Sequence, residues 1–234
     1  MSGKLTVENK LNIIDELKSH ASLCGKEWET LLSFSCDENQ EIRLAVSEVL
    51  ALFPTEESEK ILLNLLNDSD FLVRASACDS LYFSVAQETL QKLKKSARDK
   101  RHLVRGYAVL SIGDVQRNIK VNNKPTIDFL KDIEKKEKSR WVKTAVYSSM
   151  FVLGETSYFK KLVNTINDIN YKNRCFALNL IEQIIDENIE FDFNLLYEVA
   201  QNRLKIEKNF PVKQKLYEIM NRLNNTNSKP KGRQ

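Results

Sequence analysis

EIRLAVSEVL at 41–50, LVRASACDSL at 72–81 and LVRGYAVLSI at 103–112 decide how this chain is read, because they carry one pattern at one interval. Placed under one another, they set Arg43, Arg74 and Arg105 31 residues apart. The pattern returns at WVKTAVYSSM (141–150), NRCFALNLI (173–181) and PVKQKLYEIM (211–220), with Lys143, Arg174 and Lys213 in the basic column. Two longer intervals, of 38 and 39 residues, absorb insertions near 115–125 and 184–191. Self-similarity at such a period marks a stacked-repeat architecture.

The columns around the basic position describe one amphipathic helix. Ile42, Val73, Val104, Val142 and Val212 stand one residue before it. Val46, Ala77, Ala108, Val146, Ala177 and Leu216 stand three after, and Leu50, Leu81, Ile112, Met150, Ile181 and Met220 seven after. Offsets of three, four and seven share a helical face. Four residues before the basic position stand Asn39, Asp70, Ser139, Asn170 and Asn209, side chains that cap a helix by accepting an orphan backbone N–H; Arg101 breaks that column. Upstream, Leu31/Leu32, Leu62/Leu65/Leu66, Leu93/Ala97, Ile127/Leu130 and Leu162/Ile166 supply the stripe of a preceding helix. Each unit is therefore a helix A, a short turn and a helix B. A single pair cannot bury its own apolar face, so the pairs must stack.

Composition agrees. With six Gly and four Pro in 234 residues, a strand-and-turn architecture is disfavoured. The net charge of +4, from 36 basic and 32 acidic residues, is too balanced to demand nucleic acid or a membrane as partner. The first twenty residues are charged throughout, unlike the apolar core of a signal peptide, and no apolar run reaches the length of a membrane span. A soluble, cytoplasmic protein is expected. Cys24, Cys36, Cys78 and Cys175 form no CxxC pair and are expected to be small packing residues.

An acid stands six residues before every basic position: Asp37, Asp68, Asp99, Glu137, Asp168 and Glu207. In a chain with about one acid in seven residues, six matches of six are not a chance alignment. The pattern resembles the HEAT-like repeat family, and the short period is most similar to the phycobilin-lyase-type HEAT-like repeats, over about 31–223. The chain departs from the family pattern at Asn173, at the two lysines of the basic column and at the two insertions. The resemblance implies an all-α fold, an α-solenoid of about six HEAT-like helix-pair repeats. It also implies that the turn acid and the following basic residue form a ladder between neighbouring repeats, and that helix B lines the concave surface. The expected organisation is a capping helix within 1–24, the solenoid at 25–223 and a disordered basic tail at 224–234.

If helix B lines a groove, its ligand-facing positions are those opposite the core columns. At 100° per residue these are offsets +1, +5 and +8 from the basic position. They include Leu44, Glu48, Asp79, Tyr82, Leu110, Phe151 and Glu182, and no Lys or Arg. A charge-poor, partly aromatic face with scattered acids suits a protein segment, with a bias toward a basic one. The alternative is that successive B helices pack on one another and bury these positions. Basic residues gather instead at the end of helix A and the next turn, where Lys94, Lys95, Arg98, Lys100, Arg101 and Arg140 form an edge that could follow a phosphate backbone, as in HEAT-like DNA glycosylases.

No Gly-rich phosphate loop, HExxH, GxSxG or metal-ligand spacing is present, and no cofactor is indicated. The leading expectation is a non-catalytic scaffold or adaptor that holds a protein segment on helix B. Second stands a nucleic-acid-binding, glycosylase-like protein using the basic edge. Third, implied only by the repeat subtype, stands a partner-dependent lyase subunit acting on bilins.

Overall fold

The computed structural model describes residues 5–227 and is helical throughout, without a strand among those residues. A first helix α1 (Val7–Leu17) precedes six A–B pairs: α2 (Gly25–Phe34) with α3 (Gln40–Leu50), α4 (Glu56–Leu65) with α5 (Phe71–Ser80), α6 (Gln87–Ser96) with α7 (His102–Ile119), α8 (Lys124–Lys136) with α9 (Arg140–Val152), α10 (Ser157–Asn164) with α11 (Tyr171–Asp186), and α12 (Phe193–Ile206) with α13 (Phe210–Asn227). The chain is thus an α-solenoid of helix pairs. It divides into two compact units, residues up to Thr126 and residues from Ile127 onward.

The periodic columns form the core. Every residue of the three apolar columns of helix B is buried, as are Leu31, Leu62, Leu93, Leu130 and Leu162 of the A helices. Leu32, read as part of the A-helix stripe, instead faces solvent, because Leu31 and Phe34 already fill that side. In α1, Ile14 and Leu17 are buried while Val7 stays exposed.

The helix starts follow the cap column. Asn39, Asp70, Ser139, Asn170 and Asn209 each accept a backbone N–H two or three residues on. Arg101 offers no side-chain cap to α7. Both insertions are largely spent as extra turns of helix B, so that α7 and α11 run to 18 and 16 residues. Lys120 and Asn188 then turn the chain with positive φ of 54° and 53°. Of the tail expected at 224–234, residues up to Asn227 continue α13, and 228–234 lie outside the described residues.

The ladder holds neighbouring repeats in register. Arg43 closes on Asp68 through Nε and Nη2, at 2.6 and 2.8 Å, while its Nη1 donates to the carbonyls of Asp37 and Glu38. Arg74 repeats the arrangement on Asp99 and on the carbonyls of Asp68 and Ser69. Arg174 repeats it on Glu207 and on the carbonyls of Asp168 and Ile169. Each turn acid also takes the backbone N–H two residues on, as Asp68 does from Asp70 at 2.8 Å. At Asp168 the donor is Arg140, at 3.3 Å, although the basic column places Lys143 there. An ammonium cannot fork between a carboxylate and two carbonyls, and Arg140 occupies the place of the bridge.

Candidate helix B surface

In the first unit α3, α5 and α7 pack side by side, closer to one another than the A helices are. Small hydroxyl side chains permit the approach. Ser47 bonds to Ser76 at 2.6 Å, Ser80 donates to the Ser47 carbonyl at 2.8 Å, and Ser111 donates to the Cys78 carbonyl at 2.6 Å. This packing buries part of the face that single-helix geometry leaves free. Ala75 and Gly106, at offset +1, are covered, and so is Gly113 at +8. The open strip also takes in half-buried Tyr107 at offset +2 and Phe83 at +9, which sequence reasoning missed. The small residues at +1 were the available signal that this flank meets another helix.

Within the first unit the fold brings five of the expected residues to one surface. Glu48, Asp79 and Leu110 occupy the same helical offset on three adjacent helices, with Leu44 half-buried beside Glu48. Tyr82 is 46% exposed and donates its hydroxyl to the Ala51 carbonyl at 3.4 Å. Asp79 is open to solvent on one side and surrounded by protein on the others, and the resulting desolvation pushes its carboxyl up to about 6. The carboxylate itself has no hydrogen-bond or ion-pair partner among the described residues. Tyr107 is its electrostatic neighbour: burial, and secondarily the charge of Asp79, raise the phenol above its ordinary range.

Two expected residues belong to the second unit and are otherwise engaged. Phe151 is only 5% exposed and packs its ring 4.8 Å from that of Phe159, so it is a core residue there and presents no free ring. Glu182 pairs with Lys215 and Arg222, at 3.6 and 3.4 Å, which removes the acidic bias expected of it.

The basic edge is partly consumed by internal contacts. Lys94 is half-buried and donates to Thr126 at 3.0 Å, and its desolvation lowers its pKa. Arg101 lies over the Phe71 ring at 4.9 Å. Arg140 holds Asp168, as described. Lys95, Arg98 and Lys100 are exposed. In the second unit, Glu134, six residues before Arg140, accepts from Lys161 and Tyr158, at 2.8 and 2.7 Å.

Neither of the exposed cysteines is a packing residue: Cys24 precedes α2 and donates its backbone N–H to Glu27, and Cys36 lies in the first A–B turn. Cys78 is buried, and burial pushes its thiol up to about 12, leaving it protonated and unreactive. No helix among the described residues is long and apolar enough to cross a membrane.

A family model described as HEAT repeats matches residues 29–113. Among solved structures, a chain of the complex of CpcE and CpcF of phycocyanin lyase from Nostoc sp. PCC7120 is similar with a TM-score of 0.55 and 16% identity, covering 95% of this chain and 97% of that one. YibA of E. coli is similar with a TM-score of 0.53 and 18% identity, covering 97% of this chain and 80% of that one. No curated protein matches the sequence. The helix-pair period, the arginine–acid ladder and these structural likenesses give the chain the fold of an α-solenoid, and the family match places HEAT repeats at 29–113.

Proposed function

We propose that this chain is a protein-interaction module that seats a basic segment of a partner protein on the B helices of its first unit. The observation that carries the reading is Asp79, a carboxylate without a partner, desolvated by its surroundings yet open to solvent on the helix B face. A lone carboxylate in that position costs stability, and an incoming lysine or arginine relieves the cost, which is the behaviour of a binding group. Glu48 on the adjacent helix adds charge of the same sign. Tyr107, Leu110 and Tyr82 provide apolar and aromatic surface for the stem of a long basic side chain.

The test is titration of the protein against labelled peptides rich in Arg and Leu, beside twins in which Arg is replaced by Gln. Asp79→Asn and Tyr82→Ala are each expected to weaken the Arg peptides by about tenfold, with unchanged helicity. Equal affinity of both variants and wild type for these peptides rules the reading out.

A further inference from the structure

Two neighbouring turns of the second unit hold bulky apolar side chains out in water. Ile169 is 86% exposed, Ile206 65% and Phe210 75%. Between the turns lies a recess of about 680 Å³, bounded by Ile169, Tyr171, Arg174, Arg203, Ile206 and Lys208. An apolar rim of this kind on a repeat protein marks a contact surface more often than a random scatter of side chains does.

The charge at the recess is unbalanced. The Glu207 carboxylate accepts from Arg174 Nε and Nη2, both at 2.8 Å, and from Arg203 Nε at 2.7 Å. One carboxylate between two guanidinium groups leaves one positive charge uncompensated. Arg203 commits only Nε, and its two terminal amino groups have no partner among the described residues, although the side chain is only 16% exposed. Lys172, Lys205, Lys208 and Lys213 lie on the same turns and adjoining helix ends, where the acids Asp168 and Glu207 are already paired.

We propose that this recess is a second docking site, distinct from the helix B surface, for an internal segment of a partner protein in which Asp or Glu stands beside bulky apolar residues. The partner's carboxylate closes on the terminal amino groups of Arg203, whose planar fork matches it, and the apolar side chains cover Ile169, Ile206 and Phe210. A second copy of this chain is a poor occupant, because a symmetric contact would bring the two positive recesses together. A lipid surface is also a poor fit: Arg203 is recessed relative to the flanking isoleucines, where a side chain reaches and a plane of headgroups does not.

Fluorescence anisotropy with a labelled peptide of core Phe-Glu-Leu-Glu-Phe, beside its Gln twin, tests the proposal. Wild type should bind the Glu peptide, more weakly as salt is raised, and bind the Gln twin about tenfold less tightly. Arg203→Leu should lose a similar factor. Since Arg203 also braces Glu207, the Ile206→Ser/Phe210→Ser double variant, altered only at exposed side chains, should lose it without a change in melting temperature. The proposal is overturned by no binding of the Glu peptide, by equal affinity for the two peptides, or by a double variant that binds like wild type. It is equally overturned if phosphatidylcholine–phosphatidylserine vesicles capture the protein and the peptide does not, or if sedimentation shows a dimer that Phe210→Ser makes monomeric.

Discussion

Arg174 and Glu207 meet across 33 residues of sequence in a two-point ion pair, with both nitrogen–oxygen distances at 2.8 Å, and the same guanidinium binds two carbonyls of its own turn. The arginine thereby ties the start of its own helix to the next turn. Its carboxylate partner is buried, so the pair is worth little against an apolar replacement of both residues, but breaking one half strands the other.

Arg74→Ala should lower stability by about 1–3 kcal/mol, since the Asp68 and Ser69 carbonyls and the Asp99 carboxylate all lose a donor. Arg74→Lys should recover only part of this, because an ammonium cannot reproduce the fork. Chemical denaturation followed by circular dichroism measures both, and an alanine variant as stable as wild type removes the ladder as a stabilising device.

Acid should loosen the last repeat through Glu207. Burial alone would raise this carboxyl, but the hydrogen bonds from Arg203, Arg174 and the Asn209 backbone outweigh it and hold the pKa at about 2. A lowered native pKa contributes stability above the ordinary value near 4.5, and that contribution disappears as the pH falls from there toward 2. Glu207→Gln should flatten the dependence of melting temperature on pH across this window; an unaltered slope contradicts the assignment.

Asp79 has the opposite sign. Its native pKa is raised to about 6 by desolvation, so above that pH the folded state carries the cost of an ionised, desolvated carboxylate, and stability is regained as pH falls from about 6 toward the ordinary value of 3.8. Asp79→Asn should therefore melt higher than wild type at pH 7 and lose that advantage near pH 4. A variant less stable than wild type at neutral pH would show that the carboxylate has a structural partner.

Phe151→Ala should cost about 3–5 kcal/mol, as expected of a buried aromatic ring, and is a stability mutant in any binding assay. Gly154, with φ of 96°, should resist alanine for a different reason. An added Cβ meets nothing within 4 Å, so the loss of about 1–2 kcal/mol expected for Gly154→Ala comes from the backbone alone. Thermal melts distinguish the two: a Gly154→Ala protein with wild-type stability would mean that the turn re-forms with negative φ.

The repeat, its apolar columns and its caps were legible in sequence, because each follows from periodicity along one chain segment, and the rungs at Arg43, Arg74 and Arg174 were expected from the resemblance to HEAT-like repeats. What periodicity lacks is the lateral neighbour. Part of the face read as free on helix B is covered because α5 lies against both α3 and α7, a contact recorded only in the small residues Ser47, Ala75, Ser76 and Gly106. Phe151 was assigned to the surface because its cover, Phe159, comes from the following helix α10. Arg140 was read as edge charge because it stands outside the basic column, and only the position of Asp168 shows that it makes the bridge Lys143 does not. The Glu48–Asp79–Leu110 row was visible as a pattern, but the isolation of Asp79 depends on which charges come near it in space.

Every complete rung is directional: a repeat presents its acid backward, to the arginine of the unit before, and its own arginine forward, to the acid of the unit after. A unit of this kind matches its own copy. Duplicating a 31-residue stretch within the run from Arg43 to Arg105 would leave the one new junction with an acid facing an arginine, and deleting one would do the same. Repeat number can therefore change in a single genetic step without stranding a buried charge, so that a longer or shorter binding surface is reachable before any residue on that surface has changed.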